Sequence, residues 1–256
     1  MTTFTPAPGA APLARMIRTQ AVMETRLLLR NGEQLLIALV IPLLVLVGGL
    51  ESGELVDLGS GRRVDILTPG VLALAVMSSA FTSIAIATGF ERRYGVLKRL
   101  GASPLPRAGL VAGKTGAVLL VESLQIAVLS VTALSLGWQP EGGVVAVVAS
   151  VLLVILGTAA FGSLALAMAG TLRAEATLAA ANLVYVLLLV GGGVIVPLDR
   201  YPDSVQPLIE LLPSGALAEG LREALTGQGM SWYAVLVLTV WAAAGAALTS
   251  RTFRWE

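Results

Sequence analysis

Chemically active side chains are rare in this sequence, and the most unusual is Glu122, a carboxylate inside a long apolar run with Gln125 close by. A lone carboxylate at the centre of a bilayer costs about 3 kcal/mol on insertion scales, so it must be protonated, hydrogen-bonded or exposed to a wet cavity. Lys114 stands eight residues earlier, which is about 12 Å along a helix and too far for direct pairing. We favour a structural or cavity-lining contact for Glu122 over a proton-coupling site, and we expect Asn182 and Tyr185 to face the same interior.

Other common kinds of catalytic chemistry are absent from the composition. The chain has no histidine and no cysteine, which excludes disulfides, thiol nucleophiles, imidazole relays and Cys/His metal sites. The net charge is +1, so no global field attracts nucleic acid. We therefore predict no catalytic residue, no metal site and no nucleic-acid partner.

One stretch imitates a nucleotide-binding loop. Residues 108–115 read AGLVAGKT. They match the pattern G-x-x-x-x-G-K-[ST] except that Ala108 stands in place of the first glycine. A phosphate loop needs a buried strand before it and a βαβ unit around it, whereas this stretch opens an apolar run. We reject the motif and predict that Lys114 places its ammonium near lipid phosphates at the membrane surface.

The apolar residues form long blocks, as expected of a chain that is 56% hydrophobic and 13% charged. Several blocks reach the roughly 20 residues that an α-helix needs to cross a bilayer. The pattern predicts an all-α integral membrane protein with a cytoplasmic tail and interfacial helix over 1–33 and a six-helix transmembrane domain over 34–256. We place the spans at 34–50, 67–90, 109–136, 143–170, 176–197 and 232–249.

The basic residues in the short loops predict the orientation, because Lys and Arg resist translocation. Twelve lie on one side and four on the other. The first set is Arg15, Arg18, Arg26, Arg30, Arg92, Arg93, Lys98, Arg99, Arg107, Arg173, Arg251 and Arg254; the second is Arg62, Arg63, Arg200 and Arg222. Both termini are therefore expected in the cytoplasm.

Residues 13–30 have the pattern of a helix that lies on the membrane surface. Leu13, Met16, Ile17, Ala21, Leu27 and Leu28 share one face, and Arg15, Arg18 and Arg26 share the other. Such a helix rests on the inner leaflet with its arginines toward lipid phosphates. Glu24 interrupts the apolar face.

The charged loop between the second and third spans predicts a short amphipathic helix. Tyr94, Leu97 and Leu100 can bury one side of it, and Pro104 stops it rigidly. Physical chemistry alone leaves two interpretations open: an element that transmits force, or a basic loop that only sets topology. In the outer segment 198–231, two short apolar-faced helices are broken near residue 213, which is consistent either with a moving gate or with a surface cap.

The run ERRYGVLKRLGASPLPR at 91–107 resembles the E-R-E-x-G-T-L-x-x-L-x-x-T-P-L-x-R segment of ABC-2 type permeases, including the daunorubicin/doxorubicin-type drug exporters. The matching residues are Glu91, Arg92, Gly95, Leu97, Leu100, Pro104, Leu105 and Arg107; Arg93, Val96 and Ser103 differ from the pattern. Residues 192–197, 201–202, 211–213 and 219–222 are similar to the exit of the family's fifth span and its extracellular re-entrant helical hairpin.

The resemblance implies a transport subunit that is not itself an enzyme. It would export a hydrophobic or amphipathic drug or lipid, with ATP and Mg bound by a separate cytoplasmic ABC ATPase and no cofactor on this chain. A second permease protomer, identical or paralogous, would complete it in the bacterial cell (inner) membrane. The implied ATPase-coupling residues are Glu91, Arg92, Tyr94, Gly95, Leu97, Leu100, Pro104 and Leu105; the path candidates are Glu122, Asn182 and Tyr185; the outer gate is Pro197, Pro213 and Arg222.

Two rival functions are weaker. A self-contained ion-coupled secondary transporter would use Glu122 as its ion site, but it predicts inverted repeats, and none relates residues 1–130 to 131–256. An integral membrane enzyme would need clustered reactive side chains, which the composition does not supply.

Overall fold

The computed structural model describes residues 9, 11–30, 32–52 and 61–252. Within these ranges the chain is helical apart from turns and one isolated β-bridge between Glu141 and Thr226. Most of the predicted N-terminal tail, the outer-loop positions 53–60 and Arg254 lie outside the described residues.

Eleven α-helices follow one another in the described part of the chain. They are α1 (Leu13–Arg30), α2 (Gly32–Glu51), α3 (Arg63–Met77), α4 (Ile84–Arg93), α5 (Val96–Gly101), α6 (Arg107–Ser135), α7 (Gly143–Thr171), α8 (Ala174–Gly191), α9 (Gln206–Leu211), α10 (Pro213–Leu225) and α11 (Trp232–Thr252). A π-helical turn, Ser78–Ser83, joins α3 to α4, and a 3₁₀ turn, Leu198–Arg200, precedes α9.

Five helical segments of the described chain are long and apolar enough to cross a membrane: Arg63–Arg93, Ala108–Ser135, Gly143–Thr171, Ala174–Gly191 and Trp232–Thr252. They coincide with the second to sixth predicted spans within a few residues at most ends. The exception is the fifth, which ends at Gly191 instead of 197. The first predicted span falls on α2, whose described apolar part, Ala38–Glu51, is shorter than a full span, so six spans stay a prediction.

The centre of the molecule is α3, because nearly all of its side chains are buried. It packs against α2, α6, α7 and α10, while α4 and the π turn pack against α7 and α8. Its apolar residues form a continuous run without a polar face, which is typical of a helix surrounded by other helices. The outward faces of α6, α7, α8 and α11 instead expose valines and leucines, as expected for surfaces in contact with lipid.

Helix α1 packs along α6 with most of its predicted apolar face, since Met16, Ile17, Ala21 and Leu28 are half-buried. Gln20 and Glu24 are its buried residues, whereas Leu13 and Leu27 are exposed. The backbone of α6 is accessible at Gly113, where an added Cβ would lie only 2.7 Å from the Gln20 Cγ atom. The structure thus adds Gln20 to the predicted face, because Gly113 leaves room for its side chain, and it leaves Leu13 and Leu27 outside the contact.

Candidate functional site

The segment between α4 and α6 is a compact turn–helix–turn. Gly95 has a left-handed backbone with φ 68°, a conformation that costs a residue with a side chain about 1–2 kcal/mol, and it lets α5 start immediately after α4. At the other end, the Ser103 hydroxyl donates to the Leu100 carbonyl at 2.6 Å and accepts from the Leu105 N–H at 3.3 Å. Pro106 then caps the start of α6. Both ends of α5 are thus fixed by short-range structure.

The two faces of α5 differ sharply in exposure. Leu97 is 1% exposed, whereas Lys98 and Arg99 are exposed on the opposite side. Tyr94 was predicted to bury with Leu97, and that prediction is wrong: it is 65% exposed, lies before Gly95 as the C-cap of α4, and stacks on Phe90. The left-handed turn at Gly95 takes Tyr94 out of the helical register of α5.

A buried ion cluster supports the start of this segment. The Lys114 ammonium lies 2.6 Å from a carboxylate oxygen of Glu91 and 3.1 Å from one of Glu24, and the Gln20 amide donates to Glu24 at 2.8 Å. Lys114 is only 8% exposed. The prediction that its ammonium reaches lipid phosphate is therefore wrong, because two carboxylates hold it inside. This cluster joins α1, α4 and α6.

A second set of contacts joins the end of α4 to the turn between α7 and α8. Arg92 donates to the carbonyl of Leu172, and Arg93 pairs with Glu175. Both contacts are exposed, so each adds little stability by itself. They nevertheless connect the loop after the second predicted span with the loop after the fourth, on the side predicted to be cytoplasmic.

Glu122 is fully buried between α6 and α7. One carboxylate oxygen accepts a 2.6 Å hydrogen bond from the Thr158 hydroxyl, and the other has no hydrogen-bond partner within the described residues. Nearby on α6, the Gln125 amide accepts from Ser79 at 2.6 Å and donates to the Ala38 carbonyl at 3.2 Å. These bonds give α6 polar contacts with α7, the π turn and α2.

Asn182 and Tyr185 do not join Glu122. Asn182 is exposed on the outer surface of α8, so the prediction that it faces the interior of this protomer is wrong. Tyr185 is half-buried against the core, with its hydroxyl near Ser78 in the π turn. The helical rotation of α8 explains the difference, because only its first two turns and one side contact α4 and the π turn.

The outer segment is organised around Arg222 of α10. Its guanidinium donates to the carbonyls of Gly193 at 3.0 Å and Val194 at 2.7 Å, and it pairs with Glu219 at 2.9 Å. Gly70 of α3 lies directly below: a Cβ there would collide with the Val194 oxygen. The non-helical backbone that follows α8 therefore has its carbonyls satisfied by a side chain, as a buried irregular segment requires.

Two prolines complete the predicted outer gate. Pro197 and Pro213 are both buried, and Pro213 is the first residue of α10.

Burial lowers the pKa of the Arg222 guanidinium from its usual value, and the neighbouring Glu219 opposes this effect. An arginine stays charged under such a shift. The structure thus brings Arg222 and the turn after α8 together at one end of the bundle.

A comparison with protein-family models matches residues 13–226 to a family described as "ABC-2 type transporter". The chain belongs to this family. A comparison with curated proteins finds "Putative transport permease YvfS" of Bacillus subtilis (strain 168), which is 24% identical over 233 residues and aligns over 87% of this chain and 91% of that protein.

Membership of the ABC-2 type transporter family makes the chain a multi-pass transmembrane subunit of an ABC transporter. Such a permease subunit is not itself an enzyme. Residues 108–115, which imitate a nucleotide-binding loop, lie entirely within α6 and have no strand before them. Within the described ranges, no three His, Cys, Asp or Glu side chains come together as a metal site.

Three residues of the ABC-2 permease make contacts at these sites that the sequence does not predict: Glu24, Thr158 and Glu175. The position of Glu24 on an otherwise apolar helical face does indicate a contact, because a buried carboxylate needs a charged or hydrogen-bonding partner. Thr158 and Glu175 give no such indication, because a threonine in an apolar helix and an acidic residue at a helix start are both common. Their partners are 36 and 82 residues away in the chain.

Glu122→Gln is expected to keep both fold and transport. The glutamine oxygen can still accept from Thr158, so the free energy of unfolding should change by less than about 1 kcal/mol. Proton flux should be measured with a pH-sensitive dye in vesicles that contain the isolated chain under a pH gradient. We expect no flux above empty vesicles for either protein; a wild-type flux abolished by the substitution would instead identify an ion-coupled transporter.

Proposed function

We propose that this chain is the permease of a bacterial ABC exporter of the daunorubicin/doxorubicin type. It moves a hydrophobic or amphipathic compound, drug-like or lipid-like, outward with energy from ATP hydrolysed by a separate cytoplasmic ATPase. Two permease protomers, identical or paralogous, and two ATPases form the complex. ATP and Mg bind the ATPase, and this chain binds no cofactor.

The observation that carries the proposal is the combination of a rigid support and a free face at α5. Leu97 anchors the helix, while Val96, Lys98 and Arg99 are exposed. The Glu91–Lys114 bond and the Arg92 contact brace the end of α4 just before it. A short helix that is fixed on its buried side and exposed on its other side can bind a partner protein. It can then transmit a displacement to α1, α4 and α6.

The proposed topology has six spans, with α2 as the first, and both termini in the cytoplasm of a bacterial inner membrane. Residues 1–33 form the tail and interfacial helix, and 34–256 the transmembrane domain. The excess of basic residues on the α5 side supports this orientation. Under it, α9 and α10 form a re-entrant hairpin at the outer surface, and the Arg222 contacts hold it against α3 and the end of α8.

The proposed path lies between protomers. Asn182 supports this placement, because a polar amide exposed to lipid is unfavourable and the face of α8 that bears it is otherwise uncovered. Tyr185, one turn further on, borders the same side. Glu122 is 1% exposed inside one protomer, which favours a structural contact between α6 and α7 over a place on the path.

The decisive experiment is copurification from native membranes. Glu91 and Leu97 are unsuitable targets because both contribute to the interior, so we choose the exposed pair Lys98→Glu/Arg99→Glu. Like charges set against each other at an interface cost several kcal/mol, so recovery of the ATPase should fall at least about tenfold. The partner is identified by mass spectrometry as a protein that contains a complete G-x-x-x-x-G-K-[ST] motif.

The matched control is Arg251→Glu, a charge reversal at the exposed end of α11, which should leave recovery unchanged. All proteins must first elute as single peaks in size-exclusion chromatography. If no ATP-binding protein accompanies the wild type, or if the double variant retains it fully, the proposed coupling through α5 is wrong.

A further inference from the structure

The outward face of α1 carries a basic and apolar groove that the proposed transport function does not use. The described residues that line it all belong to α1: Arg15, Arg18, Thr19, Val22, Met23, Arg26, Leu27 and Arg30. The opposite face of the helix, with Gln20 and Glu24, packs on α6. The groove therefore faces away from the protein.

The charge of this groove is uncompensated by the described chain. Its four arginines are exposed and form none of the ion pairs found among the described residues. Glu24 is the one acidic residue in α1, and it points the other way, where Lys114 and Gln20 already bind it. An anionic partner would thus meet positive charge without displacing an internal ion pair.

Apolar side chains separate the arginines into two pairs. Arg15 and Arg18 are three residues apart and Arg26 and Arg30 four apart, spacings that place each pair on one side of a helix. Val22, Met23 and Leu27, which are 39–57% exposed, lie between or beside the pairs. A guanidinium binds phosphate in a bidentate fork, and exposed aliphatic side chains favour an acyl chain over water.

We propose that the outward face of α1 binds an anionic phospholipid of the inner leaflet, with the phosphate held by the arginine pairs and the upper acyl chain against Val22, Met23 and Leu27. A purely electrostatic partner would leave the apolar strip in water, and an uncharged apolar partner would leave four arginines unpaired. The inference rests on the orientation in the proposed function, which puts α1 at the inner membrane surface. It also explains why α1 is amphipathic on the side that does not touch the protein.

The test uses the purified full chain in nonionic detergent and a phosphatidylglycerol with a fluorescent acyl chain, measured by anisotropy. Wild type should bind it saturably and should bind the matching phosphatidylcholine at least about tenfold more weakly. Removing one basic residue near an anionic lipid surface weakens binding about fivefold. Arg15→Gln/Arg18→Gln and Arg26→Gln/Arg30→Gln should therefore each weaken phosphatidylglycerol binding about 30-fold.

Two controls separate charge at this groove from charge in general. Arg15→Lys/Arg18→Lys keeps the charge but loses the bidentate fork, so its affinity should fall between those of the wild type and Arg15→Gln/Arg18→Gln. Arg173→Gln/Arg251→Gln removes two exposed arginines elsewhere on the side predicted to be cytoplasmic and should bind as wild type. All substitutions are at exposed positions, and a monodisperse elution profile confirms folding.

Three results would overturn the proposal: glutamine variants that bind as wild type, phosphatidylcholine that competes as well as phosphatidylglycerol, or glutamine variants that keep lipid but lose the copurifying ATPase. The last would show a protein-docking surface instead. Because the binding assay contains no ATPase and no transport step, a negative result leaves the proposed permease function untouched, and a failed ATPase copurification leaves the lipid site untouched.

Discussion

Replacing Lys114 with methionine should lower the free energy of unfolding by about 3–5 kcal/mol, the usual range when one partner of a buried ion cluster is removed. The ammonium lies 2.6 Å from Glu91 and 3.1 Å from Glu24, and all three side chains are largely enclosed. Without it, two carboxylates face each other with only Gln20 as a donor. The α1–α6 contact should loosen first, because Glu24 is at its centre.

The measurement is denaturant-induced unfolding of the purified chain in mixed micelles, followed by tryptophan fluorescence. The control is the triple variant Lys114→Met/Glu24→Gln/Glu91→Gln, which removes the stranded charges and should recover most of the lost stability, since a neutral replacement of a whole buried cluster is often harmless. Equal stability of Lys114→Met and wild type would mean that the cluster is hydrated. A triple variant as weak as the single one would mean that the lysine stem contributes by packing.

The helices that cross the membrane could be predicted because their signal is local. Hydrophobic length alone placed the third and fourth spans at 109–136 and 143–170, and the structure has α6 at Arg107–Ser135 and α7 at Gly143–Thr171. The fifth span failed at its end, because 192–196 is still apolar but leaves the helix to meet Arg222. Composition cannot distinguish apolar helix from apolar non-helical backbone.

Side-chain partners between distant helices could not be predicted, because they depend on the rotation of each helix about its axis. Lys114 has no ion-pair partner on its own helix, and its partners lie 90 and 23 residues away in the chain. The sequence predicts a buried Asn182 because a polar side chain in an apolar span needs a hydrogen-bond partner. It does not show which way that face of α8 points. The separation of Lys114 from Glu122 was correct, since that distance is fixed within one helix.

The segment between α4 and α6 is an intermediate case. Its helix and its buried Leu97 followed from amphipathic spacing, and α5 does form at Val96–Gly101. Tyr94 failed because Gly95 in a left-handed conformation resets the register, and a single glycine in a sequence does not reveal the sign of its φ angle. Local pattern therefore identified the element, while one backbone torsion decided which residues it exposes.

The second large effect is expected at the end of the bundle that holds α10, where Arg222→Met should lower the free energy of unfolding by about 3–5 kcal/mol. Arg222 is 7% exposed, and its loss would leave the carbonyls of Gly193 and Val194 and the carboxylate of Glu219 without their donor. The turn after α8 should separate from α3 and α10, so hydrogen exchange of the 192–196 amides should rise while that of α7 stays unchanged.

Arg222→Lys distinguishes charge from geometry at the same position. An ammonium keeps the ion pair with Glu219 but cannot direct a planar fork at two carbonyls, so its stability should fall between those of the wild type and Arg222→Met. The matched control is Arg62→Met, which removes an exposed arginine that pairs with Asp65 at 2.8 Å and should cost no more than about 1 kcal/mol. If Arg222→Met lowers the free energy of unfolding no more than this control does, apolar packing holds the turn after α8 against α10. The hydrogen bonds of Arg222 then contribute little to that contact.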